Sequence, residues 1–137
     1  MFINIPLTLA PLIVYNLVAF GLFGAFAGDP WVSPVMTVPM ISDARFTLLS
    51  GDIFIVAGLV FLFFEILKAT RRASLAIVDH LISTFVFVAY LIEFLLVARA
   101  ATSVFFILMV ISFIDMIAGY TVTIRTVARD ITYDRGE

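Results

Sequence analysis

Residues 74 to 98, SLAIVDHLISTFVFVAYLIEFLLVA, combine two properties that few folds accommodate together. The run is long and apolar enough to cross a bilayer, whose hydrocarbon core of about 30 Å takes roughly 20 helical residues. It also carries three ionisable side chains, Asp79, His80 and Glu93. Wound as a helix, Asp79, Ser83, Val86, Tyr90, Glu93 and Val97 recur at alternating four- and three-residue steps and share one face. A carboxylate turned to lipid costs about 2.5–3.5 kcal/mol or more near the helix centre, so this face has to look into protein or water. The opposite face, with Leu75, Ile82, Phe85, Ala89, Ile92 and Leu96, suits lipid or apolar packing.

The rest of the chain agrees with a membrane setting. Of its 137 residues 64% are hydrophobic and 13% charged, against about 45–50% and about 25% in soluble domains. There is room for one domain and little outside the bilayer. The absence of cysteine excludes disulfides, thiolate metal sites and a cysteine nucleophile. A net charge of −2 and no basic stripe argue against a nucleic-acid partner. No phosphate-binding glycine loop, H-E-x-x-H or G-x-S-x-G motif is present, so no enzyme class is indicated.

The expected fold is an all-α membrane protein, a four-transmembrane-helix antiparallel bundle forming a single integral membrane domain over 1–137. Its spans fall at about 3–27, 52–69, 75–98 and 103–124, with an outer loop over 28–51 and a cytoplasmic tail over 125–137. In the first run Pro6 is tolerated near the start, and Pro11 introduces a kink. Ala25-Phe26-Ala27 is similar to the small-residue pattern before a signal-peptide cleavage site. The run has no Lys or Arg at its start and is longer than a signal sequence, which reads as a retained helix. Gly24 and Gly28 form a G-x-x-x-G pair, with Gly21 and Ala25 in the offset register, suited to close helix packing.

Pro30, Pro34 and Pro39 exclude a regular helix across the first half of the outer loop. The loop is nonetheless apolar, which places it in the headgroup region with Trp31 as an interface anchor, or over the bundle mouth. A partner-binding surface is the alternative. Ser42-Asp43 is positioned to start a helical turn through Leu49, and Ser50 or Asp52 to cap the second span. Glu65, Lys68 and Arg72 share a face there, the arrangement of a Glu–Lys pair snorkelling to the interface. Arg99-Ala-Ala-Thr102 is a short turn that makes spans three and four a hairpin. The fourth span aligns Ser112, Asp115, Gly119 and Thr123, and the tail extends the helix by a turn or two.

Lys68, Arg71, Arg72, Arg125, Arg129 and Arg135 lie on one side of this topology, and only Arg45 and Arg99 on the other. The positive-inside rule then puts both termini in the cytoplasm and the long loop outside, in a cell (inner) membrane. Lys68, Arg71, Arg72 and Arg125 are the expected interface anchors. Glu65, Asp79, His80 and Asp115 fall in the cytoplasmic half and Glu93 in the outer half.

Two functions are compatible with these residues. In one, the acids hydrogen-bond between helices in a non-catalytic accessory, assembly or scaffold subunit. Such a subunit packs beside a larger membrane complex or copies of itself. In the other, Glu93, Tyr90, Ser83 and Asp79, with Asp115 opposite, line a proton or cation path in a small oligomeric transporter or channel. No cofactor is indicated. One histidine does not supply the two ligands of a bis-histidine haem. Asp79 and His80 diverge by about 100° on a helix, which argues against a shared metal. The 15 phenylalanines read as lipid-facing bulk, with a pigment or quinone pocket as the weaker reading.

Overall fold

The computed structural model describes residues 5–22, 28–71 and 76–134. Among them are helix α1 (Leu9–Ala19), strands β1 (Pro34–Pro39) and β2 (Arg45–Leu49), and helices α2 (Ser50–Arg71), α3 (Ala76–Leu96) and α4 (Ser103–Asp134). Short 3₁₀ turns at Pro30–Val32 and Ala98–Ala100 join them. Three helices contain segments long and apolar enough to cross a membrane: Ser50–Thr70, Val78–Leu96 and Ser103–Thr121.

The first helix is shorter than the span expected over 3–27, of which residues 3, 4 and 23–27 lie outside the described residues. It has 11 residues, about 16 Å at 1.5 Å per residue, roughly half a hydrocarbon core. Its end has a local cause. Gly21 takes φ 76°, the left-handed conformation that glycine adopts without steric cost. The Gly21 N–H then donates to the Val18 carbonyl, and the Leu22 N–H to the Leu17 carbonyl. This Schellman pattern satisfies the last carbonyls and stops the helix. Gly21 is therefore a terminator here rather than a packing surface. Gly24 of the G-x-x-x-G pair lies outside the described residues, and Gly28 is exposed with φ 101°.

The outer connection also differs from expectation. Instead of a helical turn after Ser42, it forms an antiparallel hairpin in which Thr37 faces Thr47, Val38 faces Phe46 and Pro39 faces Arg45. Asp43, at φ 65°, turns the chain, a conformation that aspartate tolerates better than most residues. The Asp43 N–H donates to the Met40 carbonyl, and the Met40 N–H to the Ala44 carbonyl. Pro34 and Pro39 sit at the two ends of their strand, where a missing N–H does least damage.

Leu49 leads straight into α2, and the Asp52 carboxylate accepts its N–H at 3.0 Å, the backward half of a capping box. Ser50 secures the hairpin base: its N–H donates to Ser33 and its hydroxyl to Pro30. At the other turn, the Thr102 hydroxyl accepts the Phe105 N–H and caps α4. That helix runs unbroken for 32 residues, about three turns past residue 124 where one or two were expected.

α4 packs against both α2 and α3, and α1 contacts α2 and α4. The core is aromatic. Tyr15, fully buried, stacks on Trp31 at 4.7 Å between ring centroids and meets the edge of Phe105 at 4.9 Å. Phe54 closes on Trp31 from α2 at 5.0 Å. Trp31 is thus a core residue at 7% exposure and not an interface anchor, because Tyr15 and Phe54 cover its ring. Gly51 and Gly58 let α2 approach α4 closely. A Cβ at Gly51 would lie 2.7 Å from Val104, and one at Gly58 would lie 2.9 Å from Leu108.

Candidate functional site

The predicted polar face of α3 does point inward. Asp79, Ser83, Val86 and Tyr90 are buried and Glu93 and Val97 half-buried, whereas Phe85, Ala89, Ile92 and Leu96 are exposed. Opposite it stand Glu65 from α2 and Ser112 and Asp115 from α4, all buried. Most of these groups find their partners in the segment that begins the chain.

Residues 5–8 enter the bundle without helical structure and meet all three long helices. The Leu7 N–H donates to Glu65 Oε2 at 2.9 Å. Lys68 lies 3.6 Å from Glu65 Oε1 and donates to the Ile5 carbonyl at 3.1 Å. The Thr8 hydroxyl donates to Asp115 Oδ2 at 3.2 Å, and the Tyr90 hydroxyl donates to the Thr8 carbonyl at 2.9 Å. Thr8 precedes α1 but makes no side-chain cap bond to it: its backbone is already helical (φ −67°, ψ −15°) rather than extended as at most N-caps. Ser83 and Glu65 are buried like Asp115 itself. The Leu9 and Ala10 N–H groups are satisfied by the Pro6 and Leu7 carbonyls, so the two acids bind the turn that precedes α1 rather than its first N–H groups. Lys68 is tied into this cluster rather than simply reaching for the interface. Arg125 is exposed, Arg72 lies outside the described residues, and so does the side chain of Arg71.

Glu93 belongs to a separate, higher level, where Asn16 of α1 donates to its Oε2 at 3.1 Å. Above it the Tyr15 hydroxyl lies 2.6 Å from Thr102 Oγ1 and donates to the Arg99 carbonyl at 2.9 Å. Arg99 closes the end of α1 by donating to the Ala19 carbonyl at 2.8 Å, its guanidinium over the Phe20 ring. Along α4, Asp115 and Thr102 are separated by about 20 Å at 1.5 Å per residue, so α1 and its entry segment reach across about two thirds of a hydrocarbon core. Thr8, Tyr15 and Asn16 carry much of this geometry. Their signal in the sequence is that they interrupt an apolar run with groups that require partners.

Asp79 and His80 form the lowest level, near the α2–α3 connection. The His80 ring packs against Gly119, 5.8 Å from the Tyr120 ring, and its backbone carbonyl accepts the Thr84 hydroxyl. Asp79 Oδ1, His80 Nε2 and Ser112 Oγ are buried without a hydrogen-bond partner. Among the described residues no three His, Asp or Glu side chains are placed to hold a metal ion together. A cleft of about 550 Å³ opens at the hairpin end, lined by Val18, Gly21, Trp31, Arg99 and Thr102, away from Glu65 and Asp115.

The energetic weights of these bonds differ. Interhelical hydrogen bonds in membrane bundles are worth about 0.6 kcal/mol on average. Replacing Asn16 by alanine removes one bond to a half-buried carboxylate, and is expected to cost no more than about 1 kcal/mol. An unfolding titration of detergent-solubilised protein reads this, and a loss several times larger would mark Glu93 as a principal anchor.

Fold and site together define a mostly helical membrane protein in which carboxylates of three long helices bind the short first helix and the segment that precedes it. Comparison of the chain with protein-family models, with curated proteins and with solved structures gives no match.

Proposed function

We propose that this is a small multi-pass inner-membrane protein acting as a non-catalytic accessory, assembly or scaffold subunit. It packs beside a larger membrane complex or copies of itself. One observation carries this reading: Glu65, Asp115 and Glu93 each accept a hydrogen bond from the chain's own residues 7–16. Acids committed to holding one segment in place perform a packing task. The chain crosses the membrane four times in this reading, with residues 5–22 and α1 as the shortest crossing. The six-to-two lysine and arginine bias supports cytoplasmic termini and an external hairpin. Native mass spectrometry after mild detergent extraction tests the proposal. A constant partner of different sequence is the expected result, and a homo-oligomer with nothing else bound moves the weight to transport.

The second reading, an oligomeric proton- or cation-coupled transporter or channel, draws on Asp79 Oδ1, His80 Nε2 and Ser112 Oγ. These buried polar atoms have no protein partner, and unsatisfied groups of this kind suit water or an ion. Liposome flux separates the readings. For a packing role, Glu93→Gln and Asp115→Asn are expected to change stability or assembly with no flux to lose. Flux in the unaltered protein that either substitution abolishes, with stability intact, favours transport.

A further inference from the structure

We propose that the β1–β2 hairpin is a membrane-interface element, seated in the headgroup–acyl boundary of the leaflet that α2 enters, with one face against lipid chains. The pairing register sorts its side chains. Residues facing each other across an antiparallel ladder project to the same side, and successive residues alternate. Met36 pairs with Leu48 and Val38 with Phe46, so these four share a face. The other face carries Thr37 with Thr47, joined through their hydroxyls at 3.2 Å, and Pro39 with Arg45. The hairpin is therefore amphipathic.

Most of its apolar face is left open by the rest of the chain, with only Leu48 half-buried. Met36 and Met40 are each 50% exposed, Phe46 49% and Val38 37%, and Ile41 at the tip is wholly exposed. A two-stranded hairpin is marginally stable by itself in water, and an apolar face of this kind has to be covered by something.

Chain connectivity identifies the occupant. Leu49 ends β2, and Ser50 both begins α2 and begins the first candidate membrane span. No residue intervenes, and the Ser50–Ser33 and Ser50–Pro30 bonds clamp the hairpin base to that point. The base is thus held where the helix leaves the hydrocarbon. The strands, about 20 Å long at 3.3 Å per residue, remain within reach of the leaflet surface. Ile53 and Val56 near the start of α2 are likewise apolar and exposed. Arg45, on the polar face, can reach lipid phosphates while its stem follows the apolar boundary. The apolar face itself carries no charge with which to select a protein partner. This inference rests on the membrane assignment of α2 and stands whether the protein is an accessory subunit or a transporter.

The chain has no cysteine, so single substitutions give unique spin-labelling sites without disturbing Trp31. Phe46→Cys and Met36→Cys probe the apolar face, and Thr37→Cys and Thr47→Cys the polar face. All four are reconstituted in phosphatidylcholine–phosphatidylglycerol vesicles. Collision rates are measured with oxygen, which concentrates in lipid, and with a water-soluble nickel chelate. The expected result is a reversal of preference between faces: oxygen over nickel at 36 and 46, nickel over oxygen at 37 and 47. High nickel accessibility at all four sites would place the hairpin in water and overturn the proposal. Low accessibility to both reagents at 36 and 46 would overturn it in favour of a protein cover, either a second copy or a partner.

Discussion

Replacing Glu65 by alanine is expected to lower the unfolding free energy by about 3 kcal/mol. That is the low end of the range for breaking a buried charge pair, because Lys68 keeps 20% exposure. The substitution removes the acceptor of the Leu7 N–H and the counter-charge of Lys68 together. Both groups sit where the chain enters the bundle as irregular backbone. Such backbone is tolerated at membrane depth only when protein or water satisfies its polar groups. Glu65→Gln keeps an acceptor for Leu7 but not the charge, so a smaller loss is expected. A titration from mild detergent into a denaturing one measures both. Equal stability of the alanine variant and the parent would show that Glu65 does not anchor the entry segment.

A methyl group at Gly119 has the second largest expected effect. The Cβ of Gly119→Ala would collide with Nδ1 and Cε1 of His80 and come within 3.1 Å of its Cγ. His80 is only 4% exposed, so the ring cannot move aside without displacing core neighbours. Overpacking of this kind costs about 1–3 kcal/mol, and a clash with a rigid ring belongs at the upper end. Removing the ring removes the clash. The double variant Gly119→Ala with His80→Ala is therefore expected to be more stable than additive single effects allow. Strict additivity would contradict the contact.

The inward face of α3 is readable in the sequence because a helix repeats every 3.6 residues and acids cannot be left in lipid. That single constraint places Asp79, Ser83 and Tyr90 inside and Phe85 and Ile92 outside. The brevity of α1 is harder to read. Apolar composition runs through residue 27, whereas the stop depends on Gly21 taking a positive φ, and glycines inside membrane helices are common enough not to signal this. The hairpin had a signal, alternation in Met36-Thr37-Val38 and Phe46-Thr47-Leu48, masked by prolines at both ends of β1. Trp31 shows a different limit. An interfacial tryptophan and a core tryptophan have the same sequence context, and only the position of Tyr15, sixteen residues earlier, separates them. Likewise, nothing local to Glu65 or Asp115 reveals that Leu7 and Thr8 are their partners, because those contacts span 58 and 107 residues.

Hydrogen–deuterium exchange of the nanodisc-embedded protein tests most directly whether the interior acids hold the first segment in place. In the parent protein the amides of residues 7–19 are expected to be protected to a degree comparable with α2–α4. In Glu65→Ala the protection of Leu7 to Ala10 is expected to collapse while that of α3 persists. Free exchange of this segment in the parent, or unchanged protection in the variant, would contradict the packing role assigned to these carboxylates.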